Sequence, residues 1–151
     1  MSLRLISLIF IHFIRLTIVS SNSLITLLNI IQNFLALDAV EEILDYEEVD
    51  PAMAAKGDLF ALRVKGDSME PRIREGDVII CAETPCVESG TVAVVLVNGN
   101  EATVKKVVKH KEGLSLVAFN PAYSPMFYTN EECETLPVRI VGRVIELRGK
   151  F

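Results

Sequence analysis

Histidine is scarce in this chain: His12 and His110 are the only two among 151 residues. That leaves little material for a multi-histidine metal centre or a Ser-His-Asp triad, so any nucleophile here needs a base of another kind. Cysteine pairing is missing as well. Cys81, Cys86 and Cys133 are odd in number, and none stands in the C-x-x-C spacing of a zinc or redox site. They read as free thiols in a reducing, cytoplasmic compartment, with no metal and no cofactor implied. The chain also lacks a basic stripe. Its net charge is −5, with acidic residues gathered in LDAVEEILDYEEVD, residues 37–50. Binding to phosphate backbones rests on clustered Lys and Arg, so direct nucleic-acid binding is not expected.

The length suits one domain with a proper core plus an N-terminal appendage. Composition shifts near residue 36: Arg4 and Arg15 are the only formal charges in residues 1–35. We therefore divide the chain into an apolar N-terminal segment, 1–37, and a folded domain, 38–151. The run Leu16 to Leu37 holds 22 residues without a charge, enough to span a bilayer. Its Ser, Thr, Asn and Gln residues make it a polar candidate, so a membrane span is the less favoured reading. MSLRLISLIFIHFI has the basic start and apolar run of a secretory signal, but no A-x-A-like site follows. Leu24, Leu27, Leu28, Ile31 and Leu35 fall on one helical face, so the segment is expected to be helical and to cover the domain or a partner chain.

From about residue 58 the hydrophobic period changes to two. LFALRVKG and DVIICAE read as strands, and GTVAVVLVNGNEATVKKVVKH reads as a hairpin turning at Asn98-Gly99, where both residues tolerate positive φ. GLSLVAFN follows as a strand, PAYSPMFYTNEECETLP as a loop, and VRIVGRVIELRGKF as a last strand. The expected fold class is mainly β, built of short antiparallel strands, with helix confined to the first 45 or so residues. No helix-turn-helix unit is recognised before it.

The stretch RVKGDSMEPRIREGD, residues 63–77, is either an ordinary turn or a display of the Ser68 hydroxyl. A serine hydroxyl is a weak nucleophile and needs an adjacent base. Lysine serves only when neutral, which requires its pKa to fall by roughly 3 units through burial among apolar groups. EATVKKVVKH offers Lys105 on one face with Thr103 and Val107, and Lys106 on the other with Val104 and Val108. Periodicity alone does not choose between the two lysines.

GDSMEP, the Gly76-Asp77 pair nine residues past the serine, TVKK after a hairpin, NPAYSPMF and the closing VRIVGRVIEL together resemble the LexA repressor family. That family of self-cleaving serine peptidases includes phage repressors and accessory subunits of translesion polymerases. The likeness covers roughly residues 38–151. It implies a LexA-like peptidase domain with Ser68 as nucleophile and Lys105 as general base. It also implies an oxyanion site made by the backbone N–H groups of Asp67 and Ser68, with Gly66 permitting the turn. Met69 and Pro71 are expected to shape the turn, Asp77 to accept backbone N–H bonds, and Asn120 and Tyr123 to be structural.

The resemblance further implies self-cleavage in a DNA-damage (SOS) or prophage response, prompted by an activated recombinase filament, and a homodimer formed through the C-terminal strand. One feature departs from the family pattern. No glycine precedes Gly57, so neither the Ala-Gly nor the Cys-Gly scissile pair of such repressors occurs upstream of Ser68. A replaced N-terminal region, a truncated or frame-shifted product and cleavage of another protein in trans all fit. Two further functions compete: a membrane signal peptidase using the same Ser-Lys pair, and a non-catalytic dimerisation module.

Overall fold

A computed structural model describes residues 4–7, 14–18, 42–43, 49–98 and 101–149. Among the described residues ten strands form one sheet in the order β3-β1-β2-β4-β5-β10-β6-β7-β8-β9. They are β1 (Arg4–Ser7), β2 (Ile14–Ile18), β3 (Glu42–Ile43), β4 (Leu59–Val64), β5 (Val78–Glu83), β6 (Thr91–Val97), β7 (Glu101–Lys109), β8 (Gly113–Val117), β9 (Met126–Thr129) and β10 (Val138–Arg148). Each neighbouring pair runs antiparallel. The mainly β expectation and the β6–β7 hairpin are met. Asn98 takes φ 57° at the turn.

Alternation along the central strands sends side chains to three apolar clusters, one shared by the two halves of the sheet and one belonging to each half. Phe60, Leu62 and Val64 of β4 join Ile79 and Cys81 of β5, Val94 and Leu96 of β6, and Ala102 and Val104 of β7 in one shared cluster. The opposite residues of β4 and β5, including Leu59, Ala61 and Ile80, pack with Val49. Those of β6 and β7, Ala93, Val95 and Val107, pack with Leu116, Val87 and Val138. Both faces of these strands are therefore apolar, which is why they read as near-continuous hydrophobic runs.

β10 joins the two halves of the sheet. Its residues Val138–Arg143 pair with β6 and Gly142–Arg148 with β5, with register shifts at Ile140/Gly142 and Val144/Glu146. Such irregularities bend a strand and let it leave one neighbour for another. At the crossing, a Cβ on Gly142 would stand 2.6 Å from the Phe60 ring and 2.8 Å from the Ala82 carbonyl. Glycine is needed there for close approach.

Three expectations change. Helix is not confined to the N-terminal region: α1 (Pro51–Ala54) and α2 (Asn130–Thr135) lie beyond it. Asp50 caps α1 with Pro51 in its first turn, and Thr129 with Glu132 forms a capping box on α2, each satisfying backbone N–H groups that a helix start leaves free. The segment 121–137, expected as a loop, contains β9 as well as α2. Arg4–Ser7 and Ile14–Ile18 are strands, β2 pairing with β4, where helix was expected. The helical face from Leu24 to Leu35 lies outside the described residues. Among the described residues no helix is long and apolar enough to cross a membrane.

Candidate active site

Ser68 sits in the turn that follows β4. Gly66 takes φ 86°, a conformation open to glycine because it has no Cβ, and this swings the chain away from the strand direction. Met69 and Ile73 then drop into the shared core, fixing the far side of the turn, while Pro71 stays exposed. Asp77 closes the segment: its carboxylate accepts the Arg74 N–H at 2.8 Å, and its carbonyl accepts the Val64 N–H at 2.8 Å. This is the structural role expected of it.

Lys105 enters from β7, opposite Ala93 of β6. Its side chain is only 7% exposed. The amine Nζ lies 2.8 Å from Ser68 Oγ, 2.7 Å from Thr103 Oγ1 and 3.1 Å from the Val104 carbonyl oxygen. No carboxylate is among these three partners. Burial lowers the Lys105 pKa from 10.5 to about 8. Desolvation disfavours the charged amine, and the surrounding hydroxyl and carbonyl oxygens do not replace the lost water. Lys106, one residue on, projects to the other face of the strand and is half-buried.

As an ammonium Lys105 can donate to all three oxygens; once neutral, with its two N–H groups on Thr103 Oγ1 and the Val104 carbonyl, its lone pair is left for the Ser68 hydroxyl. Thr103 was not foreseen as a partner. The signal was present, since alternation places it on the same face as Lys105.

Asn120 and Tyr123, read as structural, bind the nucleophile turn directly. Asn120 Nδ2 donates to the Asp67 carbonyl at 3.1 Å, and the Asn120 N–H to the Ser68 carbonyl at 3.0 Å. The Tyr123 hydroxyl donates to Asp67 Oδ1. Among the described residues the backbone N–H groups of Asp67 and Ser68 have no protein acceptor. A cleft of about 270 Å³ opens beside Ser68 and Lys105, lined mostly by apolar side chains such as Val64, Met69, Val97 and Met126. Cys81, Cys86 and Cys133 are free thiols away from this cleft.

Comparison with known proteins agrees with this geometry. The chain is 34% identical over 113 residues to a LexA repressor of Ruegeria sp. (strain TM1040), covering 74% of this chain and 45% of the relative. It is 40% identical over 116 residues to the LexA repressor of Syntrophobacter fumaroxidans (strain DSM 10017 / MPOB), covering 76% of this chain and 53% of that relative. The chain thus spans about half the length of these curated relatives. The family described as Peptidase S24-like matches residues 31–145. With that match over most of its length, and with a serine and a buried lysine in contact, the chain belongs to the Peptidase S24-like family and is a serine peptidase with a Ser-Lys dyad.

Proposed function

We propose that residues 38–151 are the peptidase domain of a LexA-like repressor, cutting a peptide bond by one intramolecular reaction in a DNA-damage (SOS) or prophage response. The names of the two relatives support the repressor context. One observation carries the chemistry: the buried Lys105 amine standing 2.8 Å from Ser68 Oγ.

In this reading Lys105 acts neutral. With a pKa of about 8, roughly a tenth of the molecules hold a free amine at pH 7, against on the order of one in three thousand for an ordinary lysine. The amine takes the Ser68 proton as Oγ bonds to the substrate carbonyl carbon. The N–H groups of Asp67 and Ser68 meet the oxygen that becomes negative. Protonated Lys105 then returns the proton to the leaving nitrogen as the C–N bond breaks, leaving an acyl-serine. Neutral again, Lys105 draws a proton from water as its oxygen bonds to the acyl carbon, then passes that proton to Ser68 Oγ as the C–O bond breaks, freeing the serine and the carboxyl product. A tethered substrate replaces diffusional encounter with high effective molarity, so a slow dyad suffices.

The test is incubation of the chain at alkaline pH beside Ser68→Ala, followed by mass spectrometry. New fragments from the wild type alone support the reading and locate the bond cut. An unchanged mass, both alone and with an activated recombinase filament added, overturns self-cleavage.

Homodimerisation through the C-terminal strand has its own support. β10 is not a free edge along its length, since its first half is flanked by β6. Among the described residues, however, no strand pairs with the side of Val144–Leu147 that faces away from β5, and Leu147 is exposed. A second copy would satisfy those backbone groups. Sedimentation over a range of concentrations tests it, and a strict monomer overturns it.

A further inference from the structure

We propose that Asn120 and Tyr123 are positioning residues that act through Asp67, holding the N–H groups of Asp67 and Ser68 where a developing oxyanion needs them. The inference rests on the Ser-Lys peptidase reading above and assigns it two further residues, whose hydrogen bonds to the turn go to Asp67 and the Ser68 carbonyl rather than to Ser68 Oγ.

Within the turn around Ser68 the Asp67 carbonyl accepts the Glu70 N–H at 3.1 Å. Asp67 is nonetheless exposed, and the residue before it is a glycine at positive φ, a permissive stretch of backbone. The Gly66 N–H has only a long bond, 3.3 Å, to the exposed Glu75 carboxylate. An oxyanion site works by being aimed before the charge appears, so a turn free to rotate forfeits much of the effect.

The loop 119–123 supplies a second constraint, from outside the turn. A peptide unit is planar and trans, so its carbonyl and N–H point in opposite directions. The Asp67 carbonyl and the Ser68 N–H belong to one such unit. By donating Nδ2 to the Asp67 carbonyl at 3.1 Å, Asn120 adds a second donor beside the Glu70 N–H and so restrains further where the Ser68 N–H points. The Asn120 N–H holds the next carbonyl, that of Ser68, at 3.0 Å. Tyr123 completes the hold by donating to the Asp67 carboxylate, so Asp67 is restrained through its side chain as well as its backbone.

The loop is itself pre-shaped. Phe119 packs against the shared core with the Arg72 guanidinium 5.5 Å above its ring. Asn120 Oδ1 accepts the Ala122 N–H at 3.0 Å, and the Asn120 carbonyl accepts the Tyr123 N–H at 3.1 Å. The bond to Asp67 raises the Tyr123 pKa above its ordinary value, so the hydroxyl keeps its proton in the alkaline range where Lys105 is neutral. At 45% exposed, Tyr123 has a limited part in the core, which makes a specific role separable from a stabilising one.

The experiment uses the full chain and a small fluorophosphonate probe. Ser68 Oγ forms a bond to phosphorus, fluoride leaves, the hydroxyl proton passes to Lys105, and the phosphoryl oxygen occupies the oxyanion position. Labelling is followed for wild type, Ser68→Ala, Asn120→Ala, Tyr123→Phe, Asp67→Ala and Asp67→Asn. Tyr123→Phe and Asp67→Ala are expected to lower the maximal labelling rate about tenfold, the scale of a modest misplacement of a reacting group. Probe affinity and the pH midpoint set by Lys105 should stay as in the wild type. Asp67→Asn, which keeps an acceptor for the Tyr123 hydroxyl, should recover most of the rate. A wild type that labels while Tyr123→Phe labels equally fast overturns this inference alone, as does Asp67→Asn behaving like Asp67→Ala. A wild type that labels no more than Ser68→Ala overturns the peptidase reading and this inference with it.

Discussion

Thr103 Oγ1 lies 2.7 Å from Lys105 Nζ, on the same face of the same strand and two residues away. This contact helps set the direction of the amine: in the neutral form, with one N–H on Thr103 and another on the Val104 carbonyl, the lone pair is left for Ser68. Thr103→Val should cut the plateau labelling rate about tenfold and lower the pH midpoint, because the charged amine loses a stabilising acceptor. Thr103→Ser should restore both, and a pH–rate profile of the three proteins reads the result.

The choice between adjacent lysines is sharp. Lys105→Ala should reduce labelling of Ser68 by about 10²- to 10⁴-fold, the usual contribution of a general base. Lys106→Ala, from the opposite face, should change it by no more than about twofold. Intact-mass kinetics on both variants measures the ratio.

Reactivity should rise with pH through a midpoint near 8 and then level off, as Lys105 loses its proton. Stability follows the same direction. Unfolding restores the ordinary lysine pKa of 10.5, so between about 8 and 10.5 the unfolded chain binds a proton that the folded chain does not. Folding is therefore favoured increasingly across that window. Below it, both states are charged and the cost of burying the ammonium is fully present. Lys105→Met should remove that cost and raise the urea midpoint at pH 7, while flattening the pH dependence above 8.

Gly142→Ala should lower stability by about 1–3 kcal/mol, the range for overpacking, since its Cβ would meet the Phe60 ring and the Ala82 carbonyl. Phe60→Leu in the same chain should return part of the loss. Urea unfolding of the single and double variants measures this coupling.

Much of the domain could be read from its residues. Short apolar, β-branched runs bounded by Gly, Asn and Pro marked β4 to β8 and β10, because stretches of strand length between turn residues leave no room for a helix. The serine turn and a lysine strand were both visible, yet only the family resemblance selected Lys105 over Lys106, since both faces of β7 are apolar and alternation had no outward side to exclude. The short helix after β9 was missed although Thr129 and Glu132 carry its capping box; six residues are too few for a hydrophobic period to show. The grip of Asn120 and Tyr123 on Asp67 was not legible. It joins positions 53 and 56 apart in the chain, and nothing local announces a contact at that separation.

Among the described residues, β5 and β6 meet in the sheet through β10 alone, so the half carrying Ser68 and the half carrying Lys105 share one backbone ladder only by way of that strand. Peeling β10 from either neighbour would leave the hydroxyl and the amine held in common by side-chain packing and loop contacts, which makes their spacing hostage to a single strand.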